Sequence, residues 1–171
     1  RVIGGVPNNP ITIQEKLRWL NIYDIPWSDE YNMPLKSVCA DKILLHNYSY
    51  NTIGDDICIP IIDVYNNAND IDFQNLPNKF VIKCNHGSGM NIICKDKNKL
   101  NIISVKNQLN SWLKQDYAFR NGFESHYHWI DRKVYVEEYM SDTNADKLTD
   151  YKFYCMNGEP QFIHVVDDRY S

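Results

Sequence analysis

The chain lacks several features that would settle its class at once. There is no basic excess: 18 Lys and Arg stand against 22 Asp and Glu, a formal net charge of −4. A duplex-binding surface ordinarily shows as clustered Lys and Arg, so nucleic acid is not expected as a partner. No apolar stretch approaches the ~20 residues that span a bilayer, and Arg1-Val2-Ile3-Gly4-Gly5 has no long apolar segment of a secretory signal. The cysteines Cys39, Cys58, Cys84, Cys94 and Cys155 make no C-x-x-C pair, so neither a zinc knuckle nor a redox dithiol is indicated. They lie in or beside apolar segments, which predicts buried thiols in a reducing, cytoplasmic setting. No internal repeat or low-complexity segment stands out. The Rossmann string G-x-G-x-x-G opening a helix is missing too, and the one glycine-rich turn opens a strand, which also rules out a Walker A loop.

What is present is a chain of 171 residues with 43% hydrophobic content, enough for one domain, or one and a small lobe, with a real core. Thr12-Ile13-Gln14-Glu15 is a capping box ahead of Ile13, Leu17 and Leu20 at helical spacing, predicting a helix over 13–22. A second helix is expected from about Cys39 to Tyr48, with Asp41-Lys42 in its first turn. Ile57 to Tyr65 reads as a buried strand interrupted by Pro60 and so near an edge. Ser104 is expected to cap a helix with Val105, Leu109, Trp112 and Leu113 on its apolar face. Lys133 to Met140 reads as a strand. Asn157-Gly158, between 151–156 and 161–166, signals a tight hairpin turn. This order predicts an α+β fold with largely antiparallel pairing.

The segment that carries chemistry is Lys83-Cys84-Asn85-His86-Gly87-Ser88-Gly89-Met90-Asn91, set between the apolar runs Phe80-Val81-Ile82 and Ile92-Ile93-Cys94. Strands over 79–84 and 91–95 with this turn between them make a hairpin whose tip can lie over phosphates. Glycine at 87 and 89 lets the backbone approach an anion and adopt positive φ, successive N–H groups can converge on one oxygen cluster, and Lys83 adds a point charge. An ordinary glycine-containing turn is the plainer alternative. Cys84 reads as packing rather than a nucleophile. His126 and His128 form an H-x-H pair without a placed third ligand, so metal binding there is not expected.

Together with Asn9-Pro10, Glu15-Lys16-Leu17-Arg18-Trp19-Leu20, Ala40-Asp41-Lys42 and Asp150-Tyr151-Lys152-Phe153-Tyr154-Cys155-Met156-Asn157-Gly158, this string resembles the TupA-like ATP-grasp family, from about Asn9 to Arg169. Members are linked to teichuronopeptide, capsule and other surface-polysaccharide synthesis, and are often classed as glycosyltransferases. The resemblance implies an ATP-grasp-like fold with two small lobes around a nucleotide cleft. Residues 1–50 would lead into the fold, 51–130 would form the lobe with the glycine-rich flap, and 131–171 would begin the second lobe with the adenine hinge.

It also implies ATP and Mg²⁺ as cofactors. Lys42 and Lys83 would hold the nucleotide phosphates, and His86, Gly87, Ser88 and Gly89 would close as the flap. Glu137, Tyr139 and Met140 would line the adenine, although adjacent Glu137 and Glu138 point to opposite faces of a strand, so one of them is expected in solvent. Asp150 suits a ribose hydroxyl, and Lys152 a phosphate or acceptor carboxylate. Asp167-Asp168-Arg169 would meet the acceptor or be a frayed terminus. The family often has Arg where His46 lies, and its metal-binding acidic residue, Glu and Asn come on strands after the last hairpin. A chain stopping short of those strands is therefore expected, either a fragment of a longer enzyme or a short relative.

The expected activity is an ATP-dependent carboxylate–amine ligase, forming an amide through an acylphosphate, in bacterial surface or capsular polysaccharide biosynthesis. Its partners would be a small-molecule or saccharide carboxylate and an amine donor. The alternatives are a glycosyltransferase-type polysaccharide biosynthesis protein and a non-catalytic nucleotide-binding module. Against a metal-dependent sugar transferase stands the expectation that no strand-end loop holds an Asp-x-Asp motif.

Overall fold

The computed structural model describes residues 9–55, 57–120, 123–140 and 149–166. It divides into two compact units, one ending at Glu138 and the other beginning at Tyr139.

In the first unit, α1 (Ile13–Tyr23) starts on the expected capping box, with Thr12 accepting from the Glu15 N–H and Glu15 accepting from the Thr12 N–H. The short strands β1 (Trp27–Ser28) and β2 (Met33–Pro34) pair antiparallel ahead of α2 (Leu35–Ala40) and α3 (Leu44–Ile53). The single helix expected over 39–48 is thus two helices parted at Asp41-Lys42. The cause is local: Asp41 Oδ1 accepts from the N–H groups of Ile43 at 2.8 Å and Leu44 at 3.3 Å. Such side-chain bonding competes with helix continuation. Asp41 and Lys42 therefore sit on a connection, where a side chain is free of helical periodicity.

Four strands form the main sheet of the described residues: β3 (Ile61–Tyr65), β4 (Phe80–Cys84), β5 (Asn91–Cys94) and β6 (Val134–Glu138), in the order β3-β6-β4-β5, all antiparallel. The hairpin expected around the glycine turn is β4–β5. β3 takes the edge as Pro60 suggested, but it is not a buried strand; Ile62 and Val64 are exposed. The next helix, α4 (Ile102–Leu113), begins ahead of the expected cap. Asn101 is the capping residue and accepts from the Ser104 N–H at 3.0 Å.

Strand alternation separates the sheet into two unlike faces. Phe80, Ile82 and Cys84 of β4 and Val134 and Val136 of β6 point into a core completed by Val105 and Leu109 of α4 and by Ala68, Ile71, Phe73 and Leu76. The opposite face of the same strands carries Val81, Lys83, Tyr135 and Glu137, since Lys83 pairs with Tyr135 and Val81 with Glu137. One face packs the apolar core and the other carries the sheet's charged and hydroxyl groups.

The second unit is the hairpin of β7 (Asp150–Met156) and β8 (Glu159–Val166). Its turn residues Asn157 and Gly158 have φ of +52° and +83°, the left-handed pair that a two-residue hairpin turn needs. The chain is α+β, with every paired strand among the described residues antiparallel.

Leu109 is fully buried between α4 and the sheet. Leu109→Ala is expected to lower unfolding stability in urea by about 2–5 kcal/mol through lost burial and the cavity it leaves.

Candidate functional site

Lys83 closes β4 on the face away from the core and forms an ion pair with Glu137 of β6. Glu137 is 5% exposed whereas Glu138 lies in solvent, as two adjacent strand residues must divide. Tyr135, beside Lys83 in the register, donates its hydroxyl to Glu137. Burial together with the Glu137 charge pushes the Tyr135 phenol well above its ordinary range, so it stays a hydrogen-bond donor. Glu137 is held from two sides. Tyr135 was not among the residues expected from the sequence; strand alternation puts it on the Glu137 face, and the cross-strand register sets it beside Lys83.

Lys42 arrives from the connection between α2 and α3. Its ammonium donates to the backbone carbonyl of Asn85 at 3.3 Å and to that of Gly87. Burial and the nearby Lys83 charge push the Lys42 amine below its ordinary value. Two lysines separated by some 40 residues of sequence thus converge on one side of the glycine turn. Beneath them is a second residue without an assigned role, Asn85, whose side chain is 1% exposed. Its Nδ2 donates to Asp41 Oδ2 at 3.0 Å and to the Asp131 carbonyl at 2.8 Å, and its Oδ1 accepts from the Lys133 N–H at 2.8 Å.

The turn itself splits into a fixed base and a free tip. His86 is 1% exposed and faces the end of α4, its Nε2 3.1 Å from the Trp112 carbonyl, so the Nε2–H tautomer donates there. Its Nδ1 is buried with no hydrogen-bond partner among the described residues, and burial lowers the basicity of the ring. Gly87 has an ordinary negative-φ backbone; glycine is needed because an added Cβ would lie 2.7 Å from the Tyr117 ring. Gly89, at φ +74°, needs its conformational freedom. Ser88 and Gly89 are exposed, and the chain is fixed again at Met90, whose carbonyl accepts from the Cys84 N–H at 3.0 Å. Cys84 is fully buried and its thiol is pushed up to about 12 by burial, which leaves it a packing residue.

Tyr139, Met140, Asp150 and Lys152 belong to the second unit. Met140 is about half exposed, and Lys152 pairs with Asp150 at 3.5 Å on one face of β7. Of the H-x-H pair, His128 meets Asp116 at 2.6 Å, an acid that Arg132 also approaches at 3.3 Å, while the His126 ring packs on Tyr127. Asp167-Asp168-Arg169 lies outside the described residues. One expectation needs correcting. Asp70-Ile71-Asp72, in the connection after β3, does have Asp-x-Asp spacing, but Asp72 accepts from the Gln74 N–H at 3.0 Å and from Asn75 Nδ2 at 2.7 Å, and Ile71 is buried. The motif builds a turn here.

Gly87→Ala is expected to displace Tyr117 and cost about 1–3 kcal/mol in urea unfolding, with an altered near-UV signal from the aromatic residues. Cys84 should resist iodoacetamide at pH 8 in the folded protein while exposed Cys155 reacts. Since the folded Cys84 pKa lies above the unfolded one, its contribution to stability is complete below the unfolded value near 8.5 and is lost as pH rises toward 12. Between pH 8.5 and 10 it should make stability fall with a slope that steepens from about 0.7 to about 1.4 kcal/mol per pH unit, a slope that Cys84→Ala reduces in urea titrations.

No curated protein and no solved structure matches the chain. The family model described as TupA-like ATPgrasp matches residues 15–171, a span that includes both lysines, the flap, the β4–β6 pair and the Asn-Gly hairpin. That span is most of the chain: it belongs to the TupA-like ATP-grasp family.

Proposed function

We propose that the chain supplies the ATP-binding part of a carboxylate–amine ligase acting in the synthesis of a surface or capsular polysaccharide. The observation that supports this most is the convergence of Lys42 and Lys83 beside the exposed Ser88–Gly89 tip. With its amine lowered by burial and by Lys83, Lys42 occupies a spot where an added anion relieves repulsion between two cations. A polyphosphate is such an anion, and the backbone of a glycine turn can approach it closely.

Family membership supports ATP as the substrate that supplies the phosphoryl group, with Mg²⁺ as its usual companion. Among the described residues no group of three or more His, Cys, Asp or Glu stands together as a metal site, so no step is assigned to a metal here. In the proposed reaction a carboxylate oxygen takes the γ-phosphoryl and ADP leaves. An amine then attacks the acyl carbon and phosphate departs, leaving an amide. The chain's own contribution is position and charge. An ammonium has three donors, so Lys83 can keep its bond to Glu137 and still reach a phosphate oxygen. Lys42 fixes the flap base through two carbonyls and offers its charge to the same phosphates. The roles of Glu137, Tyr139 and Met140 at the adenine edge, of Asp150 at the ribose and of Lys152 at a phosphate or acceptor carboxylate rest on family membership alone.

Calorimetric titration with Mg-ATP tests the binding. The chain should bind it, and Lys83→Met or Lys42→Met should each weaken binding about tenfold or more, the loss of one charge-assisted contact. An absence of binding overturns the reading. Given a carboxylate and an amine, release of ADP and inorganic phosphate supports the ligase. Release of UDP or GDP from a nucleotide sugar favours sugar transfer instead.

A further inference from the structure

Lys83 is placed by strand register, whereas Lys42 sits on a connection between two helices and needs something else to hold it against the flap. A buried bridge beside it meets that need. Asp41, 3% exposed, uses Oδ1 to end α2 and start α3, and turns Oδ2 to the Asn85 amide at 3.0 Å. Asn85 is in turn locked to the start of β6. Its Nδ2 donates to the Asp131 carbonyl, its Oδ1 accepts from the Lys133 N–H, and its own N–H donates to the Lys133 carbonyl at 3.1 Å.

From this geometry we infer that Asn85 and Asp41 are positioning residues: their hydrogen bond sets the Lys42 ammonium at the flap, in register with Lys83. The inference rests on the nucleotide-binding reading above. Only an amide meets every partner at position 85. A carboxylate there would oppose the Asp41 carboxylate and the Asp131 carbonyl. An apolar side chain would leave Asp41 Oδ2 buried without a donor, which is costly. The same bridge explains why the chain places asparagine between a thiol-bearing strand end and His86. The Asn85 side chain is buried, so its influence on phosphates passes through Lys42.

The test is calorimetric titration of the full chain with Mg-ATP and separately with adenosine, comparing the unsubstituted protein with Asn85→Ala, Asp41→Asn and the exchange Asp41→Asn with Asn85→Asp, each checked by thermal melting. Loss of the bridge should weaken Mg-ATP by about tenfold and leave adenosine within about twofold, because adenosine has no phosphate for Lys42. The exchange should recover only part of the loss, since the amide introduced at 41 then donates to the carboxylate introduced at 85, which has no proton for the Asp131 carbonyl. If Asn85→Ala melts below the working temperature, Asp41→Asn carries the comparison, because it keeps the acceptor for Ile43 and Leu44. An equal fall for Mg-ATP and adenosine, or folded variants that bind Mg-ATP like the unsubstituted protein, overturns the inference. If Lys42→Met loses Mg-ATP while the bridge variants do not, the positioning role fails alone. If the unsubstituted protein does not bind Mg-ATP at all, the nucleotide reading fails and the inference falls with it.

Discussion

The Asn85 amide lies where three separate stretches of chain meet: the connection after α2, the end of β4 and the approach to β6. A buried amide can join them because it donates and accepts at once, and because it and the Asp41 carboxylate are both removed from water. In such surroundings a satisfied polar network fixes geometry, whereas an unsatisfied one costs free energy. Both lysines of the proposed phosphate site inherit their placement from this junction. Lys83 takes it through the β4–β6 register, and Lys42 through the segment that Asp41 ties down.

The sheet adds a division of labour that follows from the two-residue period of its strands. On one face Phe80, Ile82, Val134 and Val136 exclude water against α4; on the other, one residue along, stand Lys83, Tyr135 and Glu137. The two faces share one backbone, so the packing of the apolar face also fixes where the polar residues stand. Pairing Lys83 with Glu137 avoids burying either charge alone, which would be expensive. Tyr135 supplies a further donor, so the acid does not depend on the lysine for all its hydrogen bonding. An ion pair arranged in this way can exchange one partner contact for a phosphate without stranding the carboxylate.

Features governed by neighbours in sequence were readable in advance. The Thr12–Glu15 box, the β4–β5 hairpin and the Asn157-Gly158 turn each depend on a few adjacent residues, and each stands where the pattern placed it. The helix break at Asp41 was missed because an acidic residue near a helix start serves equally well within a first turn or as the group that creates a new start. The cap at Asn101 was missed for a similar reason, since Ser104 had the right chemistry and the register of α4 decided between them. Of the site, the lysines and the glycine turn were legible as chemistry. The Lys83–Glu137 pair and the Asn85 bridge were not, because each joins residues more than 40 positions apart and only tertiary registration reveals them; the Tyr135 hydroxyl lies two residues from Glu137 on one strand face, a neighbour that strand alternation alone could have offered. Gly87 was read as giving close approach to an anion and positive φ; its φ is not positive, and its missing Cβ leaves room for the Tyr117 ring.

The same fixing of the turn would limit what the proposed flap has to do on meeting a phosphate. His86 is tied to the end of α4, Gly87 lies under Tyr117, and Met90 is bonded back to Cys84, so only Ser88 and Gly89 stand in solvent. A six-residue loop that had to order from scratch would lose roughly 1–2 kcal/mol of conformational entropy for every residue fixed. Here four of the six have met that cost during folding. Were the loop to close on a phosphate as proposed, it would act less like a lid than like a hinged fingertip, with two residues at most left to order.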